Sequence, residues 1–305
     1  MFTRKKPKEE IDFIFPYVDC NDPEWRALYN SEIDKRNDDD KLSKSLATGD
    51  ERFRSNGLLK YVFRSIDKYL PWINKVHMIV QSDSQVPEWI NRDKVSIVYH
   101  EDFIPKEYLP TFNSCTIEMF LYRIEELSDK FIYGNDDVFI NYNFKKSDFF
   151  INDKLVYGVK ARRIHTNWIW DMTLRLNNQK LLNMPTTIIY DVQHTILPHT
   201  KTLIERVHNI YRNKIKNSIS PFRLAKNYSQ WLFSLYYYKY GKTQNRPHAY
   251  IKGHISEKCY NKLLNKWRSY KSICLNDSVK TTYETTKKFI NLFEQHFPEK
   301  SKYEL

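Results

Sequence analysis

Two adjacent carboxylates come directly after a short hydrophobic segment of the sequence. Lys130–Tyr133 is predicted as a buried strand, and Asn135, Asp136 and Asp137 follow it closely. In open α/β sheets, ligands bind outside the carboxyl ends of the strands. Paired carboxylates at such an end are oxygen ligands for Mg²⁺ or Mn²⁺, which in turn bind a diphosphate. A turn with a helix cap also favours Asn and Asp, but the preceding strand favours a metal site.

Three other acidic residues lie in or near predicted strands. Asp12 lies inside the hydrophobic segment 11–15, where a carboxylate is costly unless it is paired or metal-bound. The alternative for Asp12 is a buried hydrogen bond to a neighbouring loop. Asp19 lies in the loop that follows this segment. Asp277 comes after the apolar segment 272–275, and this second strand followed by a carboxylate favours one shared polar site.

Basic residues suited to phosphate binding precede the second predicted helix. Arg52 and Arg54 come just before Asn56, which begins that helix. Guanidinium groups and free backbone N–H groups converge at such a position, and both bind phosphate. A solvated basic turn is the alternative, and residue types alone favour it.

Two histidines are candidates for proton transfer. His194 and His199 lie near the start of a predicted helix. Histidine accepts protons near neutral pH, so either residue could deprotonate an attacking hydroxyl. A lone histidine is more often structural. Arg223 is also basic, but nothing around it in the sequence indicates a role.

The hydrophobic pattern predicts an α/β fold. Strands are predicted at 11–15, 75–81, 94–99, 130–133, 155–160 and 248–252. Helices are predicted to start at Asp22 and to span 56–70 and 113–128. Strands alternating with helices of this length indicate an open, largely parallel, Rossmann-like sheet. We therefore predict one catalytic domain over 1–305. It consists of an α/β core at 11–160 and 247–277, a mostly helical insertion at 161–246 and a C-terminal helix at 278–305.

Composition excludes several classes of protein. The 305 residues are 41% hydrophobic and 28% charged, which is typical of a globular chain and excludes disorder and fibrous repeats. Only 6 glycines are present, and neither the dinucleotide-binding glycine motif nor the P-loop motif occurs. The 4 cysteines lie far apart, which argues against a disulfide framework or a zinc site and favours a reduced compartment.

The net charge of +12 indicates an anionic partner without choosing among polyanions, phosphorylated ligands and an anionic membrane face. Residues 1–10 are charged and lack the apolar core of a signal peptide. We therefore expect a cytoplasmic protein, with peripheral attachment to the inner face of the membrane as an open alternative.

Several blocks of residues resemble one known family. They are 11–19 with Asp22–Trp25, then 52–66 with Pro71, Trp72 and 85–90, then 109–118 with 130–138, and finally 274–277. In this order they are similar to the Stealth family of sugar-1-phosphate transferases. That family includes bacterial capsular polysaccharide phosphotransferases and the catalytic subunit of the lysosomal N-acetylglucosamine-1-phosphotransferase.

The resemblance implies an activity and a set of site residues. The activity is transfer of a hexose 1-phosphate, with N-acetylhexosamine 1-phosphate expected, from a UDP-sugar to a hydroxyl of an oligosaccharide or poly(sugar phosphate) acceptor, with release of UMP. The implied fold is Rossmann-like or GT-A-like. The implied catalytic residues are Asp12, Asp137, His194 or His199, and Arg223. The expected ligands of Mg²⁺ or Mn²⁺ are Asp136, Asp137 and Asp277, and the expected donor-binding residues are Asp19, Arg52, Arg54, Asn56, Asn113 and Asn135.

Two other functions fit parts of the sequence. A GT-A glycosyltransferase would share the scaffold and the acidic metal site but would break the sugar C–O bond and release UDP. A nucleic-acid-binding protein would explain the basic charge and the tyrosines between 236 and 240. Tyrosines at helical spacing are more often core or interface, so nucleic acid is not expected as a partner. The basic segment 209–226 is instead a candidate groove for an anionic acceptor.

Overall fold

The computed structural model describes residues 10–36, 48–164 and 169–305. Residues 1–9, where no signal peptide is predicted, lie outside the described residues, and so do residues 165–168 of the predicted insertion.

The strands of the described residues are β1 (Ile11–Pro16), β2 (Val76–Val80), β3 (Val95–Tyr99), β4 (Lys130–Tyr133), β5 (Val138–Ile140), β6 (Phe150–Ile151), β7 (Lys154–Tyr157), β8 (Val159–Arg163), β9 (Ile188–Val192), β10 (Leu197–Thr200), β11 (Thr243–Asn245), β12 (Tyr250–His254) and β13 (Ser272–Asn276). The α-helices are α1 (Pro23–Ile33), α2 (Leu59–Tyr69), α3 (His100–Phe103), α4 (Ser114–Met119), α5 (Ile169–Leu181), α6 (Lys201–Ile210), α7 (Arg212–Ser218), α8 (Trp231–Lys239), α9 (Glu257–Lys266) and α10 (Tyr283–His296).

The central sheet has the strand order β10-β4-β1-β2-β3. Strands β4, β1, β2 and β3 are parallel, and β10 runs antiparallel to β4. The predicted α/β fold with an open, largely parallel sheet is therefore confirmed. From β1 the chain builds outward to β2 and β3, then returns to place β4 on the other side. The crevice between the carboxyl ends of β1 and β4 is consequently the topological switch point, where open α/β sheets bind ligands.

The sheet is buried on both faces, which explains the continuous hydrophobic runs of its strands. Ile11, Phe13, Ile14 and Phe15 of β1 have no exposed surface. Helix α2 buries its apolar stripe against the same core. The rigid carboxyl ends of β1 and β4 are thus a firm base for a polar site.

Helix boundaries follow local signals at some points and tertiary packing at others. Asp22 caps α1 as predicted, because its Oδ1 accepts a hydrogen bond of 2.6 Å from Trp25 N. The predicted helix at 113–128 is wrong in length, since α4 ends at Met119. Phe120 departs from helical geometry and its ring stacks on Tyr108 at 5.5 Å. Packing of Phe120 therefore overrides the helical periodicity.

The segment 161–246 is mostly helical in its regular structure, as predicted, but it also completes the central sheet. Strand β10 lies where a helix start was predicted, and α6 begins only at Lys201, capped by Thr200. Pro198 is tolerated in β10 because the strand lies at the sheet edge. The antiparallel pairing of β10 with β4 fixes the positions of both candidate histidines.

Strand β13 brings a third polar segment to the site. It pairs with β5 and β12 in a second sheet, and Leu275 N donates to Asp137 O at 2.9 Å. The C-terminal helix begins at Tyr283, so the prediction of helix from 278 onward is wrong for its first turn. The predicted strand 155–160 is interrupted at Gly158, where a Cβ would lie 2.2 Å from Gln193 Oε1.

Within residues 10–36, 48–164 and 169–305, no helix is both long enough and apolar enough to cross a membrane.

Candidate active site

The paired carboxylates after β4 lie at the switch point. Burial and the neighbouring Asp137 raise the pKa of Asp136 to about 8, and burial raises the pKa of Asp137. Asp137 Oδ2 accepts a hydrogen bond of 2.7 Å from Asn276 Nδ2. Its Oδ1 atom is buried and has no hydrogen-bond partner among the described residues. A cation beside the two carboxylates would reduce their mutual repulsion and would give the unsatisfied Asp137 Oδ1 a partner.

The two carboxylates fit a magnesium or manganese site completed by substrate. Within residues 10–36, 48–164 and 169–305, no group of three or more His, Cys, Asp or Glu side chains converges on a metal position. Mg²⁺ is commonly bound through one or two carboxylates, with waters and substrate phosphates as the remaining ligands. Asp136 and Asp137 meet that requirement, and the orphaned Asp137 Oδ1 is the atom free to bind the ion.

Asp277, the third predicted metal ligand, faces other groups. Its carboxylate accepts hydrogen bonds from Arg54 Nε at 2.7 Å, Arg54 Nη2 at 2.9 Å and Asn56 Nδ2 at 3.1 Å. Burial opposes ionisation of Asp277, but these hydrogen bonds, with that of Arg54 the strongest, leave its pKa lowered. The structure therefore joins Asp277, Arg54 and Asn56 to one another through direct hydrogen bonds.

Two arginines from distant parts of the chain lie close together. Burial and the charge of Arg223 lower the pKa of Arg52 to about 9. Arg223 Nη2 also donates to Ser114 Oγ at the start of α4. Because like charges this close repel, an anion bound between them gains from both guanidinium groups. Arg52, predicted to bind phosphate, and Arg223, implied to be catalytic, thus interact with each other.

Asn113, predicted to bind the donor, is fully buried in a structural network. Its Oδ1 caps α4 by accepting from Cys115 N at 3.1 Å. Its Nδ2 donates to Ser220 O at 3.1 Å and to Asn227 Oδ1 at 3.1 Å. The loop 218–227 that carries Arg223 is therefore fastened to α4 by Asn113.

Glu118 is a site residue that the sequence reasoning missed. Burial raises its pKa to about 7, although Gln230 N donates to its Oε2 at 2.7 Å and Tyr133 Oη donates to its Oε1 at 3.3 Å. Arg223 is close enough to favour its ionised form. The sequence did contain one signal for this role: Glu118 is an acid on the apolar side of the predicted amphipathic helix 113–128. With a pKa near neutrality, Glu118 can exchange a proton or tune Arg223.

The register of β10 separates the two histidines. His199 pairs with Phe131 toward the amino end of β4, and burial lowers its pKa to about 4. Leu197 pairs with Tyr133, the last residue of β4. Because the strands are antiparallel, His194, which precedes Leu197, lies past the carboxyl end of β4, with its ring 5.8 Å from that of Trp231. The structure therefore puts His199 in the core and leaves the half-buried His194 as the accessible candidate on the carboxyl side of β4.

Asp12 lies at the amino end of β1, away from the switch point. Its carboxylate is buried and accepts hydrogen bonds from Asn74 Nδ2 at 2.9 Å and from Ser128 N at 2.8 Å. His77 Nε2 lies 3.1 Å from its Oδ2. Burial opposes ionisation of Asp12, but these bonds, with that of His77 the strongest, leave its pKa lowered. This position fits the alternative of a buried hydrogen-bonded carboxylate.

A cavity of about 400 Å³ opens between the ends of β1 and β2 and the loop before α2. Tyr17, Asp19, Ser55, Gln85 and Trp89 are among the residues that line it. Gln85 holds the Asp19 backbone through bonds of 2.7 and 3.0 Å. The pKa of Tyr17 is raised, first by burial and also by Asp19 and Asp136. Tyr17 therefore links the wall of the cavity electrostatically to Asp136, the residue that follows Asn135.

Comparison with known proteins identifies relatives along the whole chain. The model of Stealth protein CR2, conserved region 2, matches residues 52–157. The capsular polysaccharide phosphotransferase WcwK of Streptococcus pneumoniae is 30% identical, and the match covers 96% of this chain and 98% of that protein. The exopolysaccharide phosphotransferase cps2G of Lactiplantibacillus plantarum is 28% identical, with 97% and 96% covered.

Solved structures of two glycosyltransferases show a distant likeness. The bifunctional glycosyltransferase WbbM matches with a TM-score of 0.45 and 10% identity, over 97% of this chain and 52% of that one. The galactosyltransferase LgtC, solved with donor and acceptor sugar analogs, matches with a TM-score of 0.42 and 10% identity, over 93% and 96%. The 30% identity over nearly the full length of both chains carries the assignment: this chain belongs to the Stealth family of capsular polysaccharide phosphotransferases.

Proposed function

We propose that the protein moves a hexose 1-phosphate, with N-acetylhexosamine 1-phosphate as the first candidate, from a UDP-sugar to a sugar hydroxyl of a growing capsular polysaccharide. The observation that carries this proposal is the full-length similarity to named capsular polysaccharide phosphotransferases. These relatives favour phosphoryl transfer over the glycosyltransferase alternative. The product is a phosphodiester, and UMP leaves.

The donor fits the geometry of the switch point. The cavity of about 400 Å³ has the size of a small-ligand pocket, and in this proposal it receives the nucleoside. The diphosphate then extends toward Asp136 and Asp137, while Arg52 and Arg223 bind the phosphoryl group that carries the sugar. A divalent cation held by the two carboxylates, Mg²⁺ or Mn²⁺, would neutralise negative charge on the UMP leaving group.

The residues of this chain have distinct tasks in the reaction. The acceptor oxygen attacks the phosphorus that bears the sugar, and the bond from that phosphorus to the UMP oxygen breaks. His194 accepts the proton of the attacking hydroxyl. Arg52 and Arg223 stabilise the charge on the non-bridging phosphoryl oxygens. The charge of Glu118, which interacts electrostatically with Arg223, helps to orient that guanidinium.

Identifying the nucleotide product tests the proposal directly. Purified protein is incubated with a panel of UDP-sugars, a short acceptor and Mg²⁺, and the products are weighed by mass spectrometry. We expect UMP together with an acceptor heavier by one hexose phosphate. Release of UDP with an acceptor heavier by one hexose alone would refute phosphoryl transfer. The same panel identifies the hexose.

A further inference from the structure

A second hydrophobic cluster lies apart from the main core and consists almost entirely of aromatic rings. Its buried members are Cys20, Trp25, Tyr29, Phe53, Phe112 and Phe222. The aromatic side chains are between 2% and 7% exposed. We call this group the aromatic cluster. The main core extends through the central sheet without it, so the cluster requires its own explanation.

Three members of the aromatic cluster are sequence neighbours of residues at the proposed phosphate position. Phe53 follows Arg52, and Phe222 precedes Arg223. Phe112 lies two residues before Ser114, the hydrogen-bond partner of Arg223. The aromatic cluster therefore includes a ring from each of the three chain segments that carry Arg52, Arg223 and Ser114.

Hydrogen bonds divide these segments into two halves. In the first half, the segment with Arg52 is fastened to α1 and the loop before it. Tyr29 Oη donates to Thr48 O at 2.7 Å, Arg26 Nη1 donates to Asp50 Oδ1 at 2.9 Å, and Cys20 N donates to Phe53 O at 2.7 Å. In the second half, Phe112 N donates to Pro221 O at 2.8 Å, which joins the segment before α4 to the Arg223 loop.

Ring contacts join the two halves. Trp25 meets Phe112 edge-on at 5.3 Å between ring centroids, and Tyr29 meets Phe112 at 5.2 Å and Phe222 at 5.5 Å. Trp25 and Tyr29 also stack on each other at 4.9 Å. One guanidinium is carried by each half, so the distance between Arg52 and Arg223 depends on this aromatic junction.

We infer that Trp25 and Tyr29 are positioning residues for the reaction: Tyr29 contacts both Phe53 and Phe222, so the aromatic cluster holds the adjacent Arg52 and Arg223 near each other against their repulsion. This inference rests on the proposed phosphate-binding role of the two arginines. A loosened junction would let the like charges move apart, so phosphate affinity would fall before the fold is lost.

The test compares the junction with an equivalent position in the main core. Trp25→Leu and Tyr29→Leu remove rings from the junction. Trp25→Phe keeps a ring, and Tyr29→Phe loses only the hydroxyl bonded to Thr48.

The control is Phe149→Leu, because Phe149 is 2% exposed and packs on Trp72, which precedes the amino end of β2. Each variant is assayed for binding of inorganic pyrophosphate by calorimetry without metal, for thermal unfolding, and for kcat and KM of the UDP-sugar.

We expect the two Leu variants to bind pyrophosphate at least tenfold more weakly and to lose at least tenfold in kcat/KM. The Phe variants should return to within about threefold of the parent protein. Phe149→Leu should lower the unfolding temperature by a similar amount and leave pyrophosphate affinity unchanged. Should Trp25→Leu not fold, Phe112→Leu makes the same comparison with a smaller loss of volume.

Two failures are distinguishable. If Arg223→Met loses pyrophosphate affinity while the Leu variants retain it, the aromatic cluster is merely structural and the inference is overturned, with the proposed phosphate site intact. If Arg223→Met itself retains full affinity, the proposed phosphate site is wrong and the inference falls with it.

Discussion

At the scale of single residues, environment separates side chains that are chemically identical. His194 lies at the carboxyl edge of the sheet and is half-buried, with its ring 5.8 Å from that of Trp231. His199 is 1% exposed and packs against Phe131 and Phe233. A proton acceptor must reach the substrate, and burial of the His199 ring prevents this.

We therefore expect His194→Ala to lower kcat by about 10² to 10⁴, the range typical of a lost general base. His199→Gln is the matched control: it should lower the unfolding temperature and leave kcat within a few-fold of the parent. Steady-state kinetics and thermal unfolding on both variants check this. Equal losses of kcat in the two folded variants would contradict the assignment of His194.

Glu118 should make stability depend on pH. Its folded-state pKa is raised to about 7, from an ordinary value of 4.5. A raised carboxyl pKa means that the folded state favours the protonated form of Glu118. The contribution of this group to stability is therefore complete below about pH 4.5 and is lost as the pH rises through about 7. Over that interval the free energy of unfolding should fall by roughly 3 kcal/mol.

Glu118→Gln cannot ionise and should lack this decline. Chemical denaturation of both proteins at several pH values between 4.5 and 8 measures the difference. Its kcat should also fall, since the variant no longer orients Arg223 with a charge. A difference in unfolding free energy between the two proteins that stays constant with pH would show that Glu118 does not titrate as described.

At the scale of elements, the turn after β4 depends on a close approach of backbone and ring. A Cβ on Gly134 would lie 2.8 Å from Phe13 Cζ, deep in the core. Gly134 connects β4 to the carboxylates, so an added methyl group must shift either the ring or the turn.

Gly134→Ala should destabilise the protein by about 1–3 kcal/mol, as overpacked cores do, and should lower kcat by displacing Asp136. Adding Phe13→Leu provides space and should restore part of the activity, although Phe13→Leu alone is destabilising. Denaturation and kinetics on the four proteins of this cycle test the idea. No restoration in the double variant would contradict it.

The loops after β4 and β13 should differ in their response to metal. Asp137→Asn should weaken activation by Mg²⁺ at least tenfold, because Asp137 Oδ1 is the orphaned oxygen. Asp277→Asn should leave Mg²⁺ activation unchanged and lower stability, because Asp277 binds Arg54 and Asn56. Activity is titrated with Mg²⁺ after removal of metal by chelator. If both variants lost Mg²⁺ activation to the same extent, Asp277 would be a ligand of the metal as well.

At the scale of the whole molecule, the charge of +12 favours anionic partners. We propose that the segment 209–226 binds the anionic acceptor chain, since Arg212, Lys214 and Lys216 of α7 are exposed. A peripheral position on the inner membrane face, near export machinery, is a second proposal from the same charge. Both predict attraction that salt weakens.

Changing Arg212, Lys214 and Lys216 together to Gln should raise KM at least threefold for a poly(sugar phosphate) acceptor and leave KM unchanged for a short neutral acceptor. Salt should raise KM for the charged acceptor alone. Kinetics with the two acceptors between low and physiological salt check this, with cosedimentation on anionic vesicles as a separate assay of membrane binding. An equal effect on both acceptors would exclude a groove for the charged chain.

The sequence by itself determined the features that neighbours along the chain control. Hydrophobic runs specified β1 to β4, Asp22 with Pro23 specified the start of α1, and Asp136 with Asp137 after a buried strand specified an acidic site at the sheet edge. These follow from backbone preferences and from burial of apolar side chains over short distances, which a linear pattern records.

Only the tertiary structure decided which of the polar residues act together. The register of β10 separated His194 from His199, and Asp277 is hydrogen-bonded to Arg54, 223 positions away in the chain. The pKa of Glu118 likewise arose from burial by distant segments. Strand register, ion pairing and desolvation depend on groups far away in sequence, and the order of residues alone does not contain their distances.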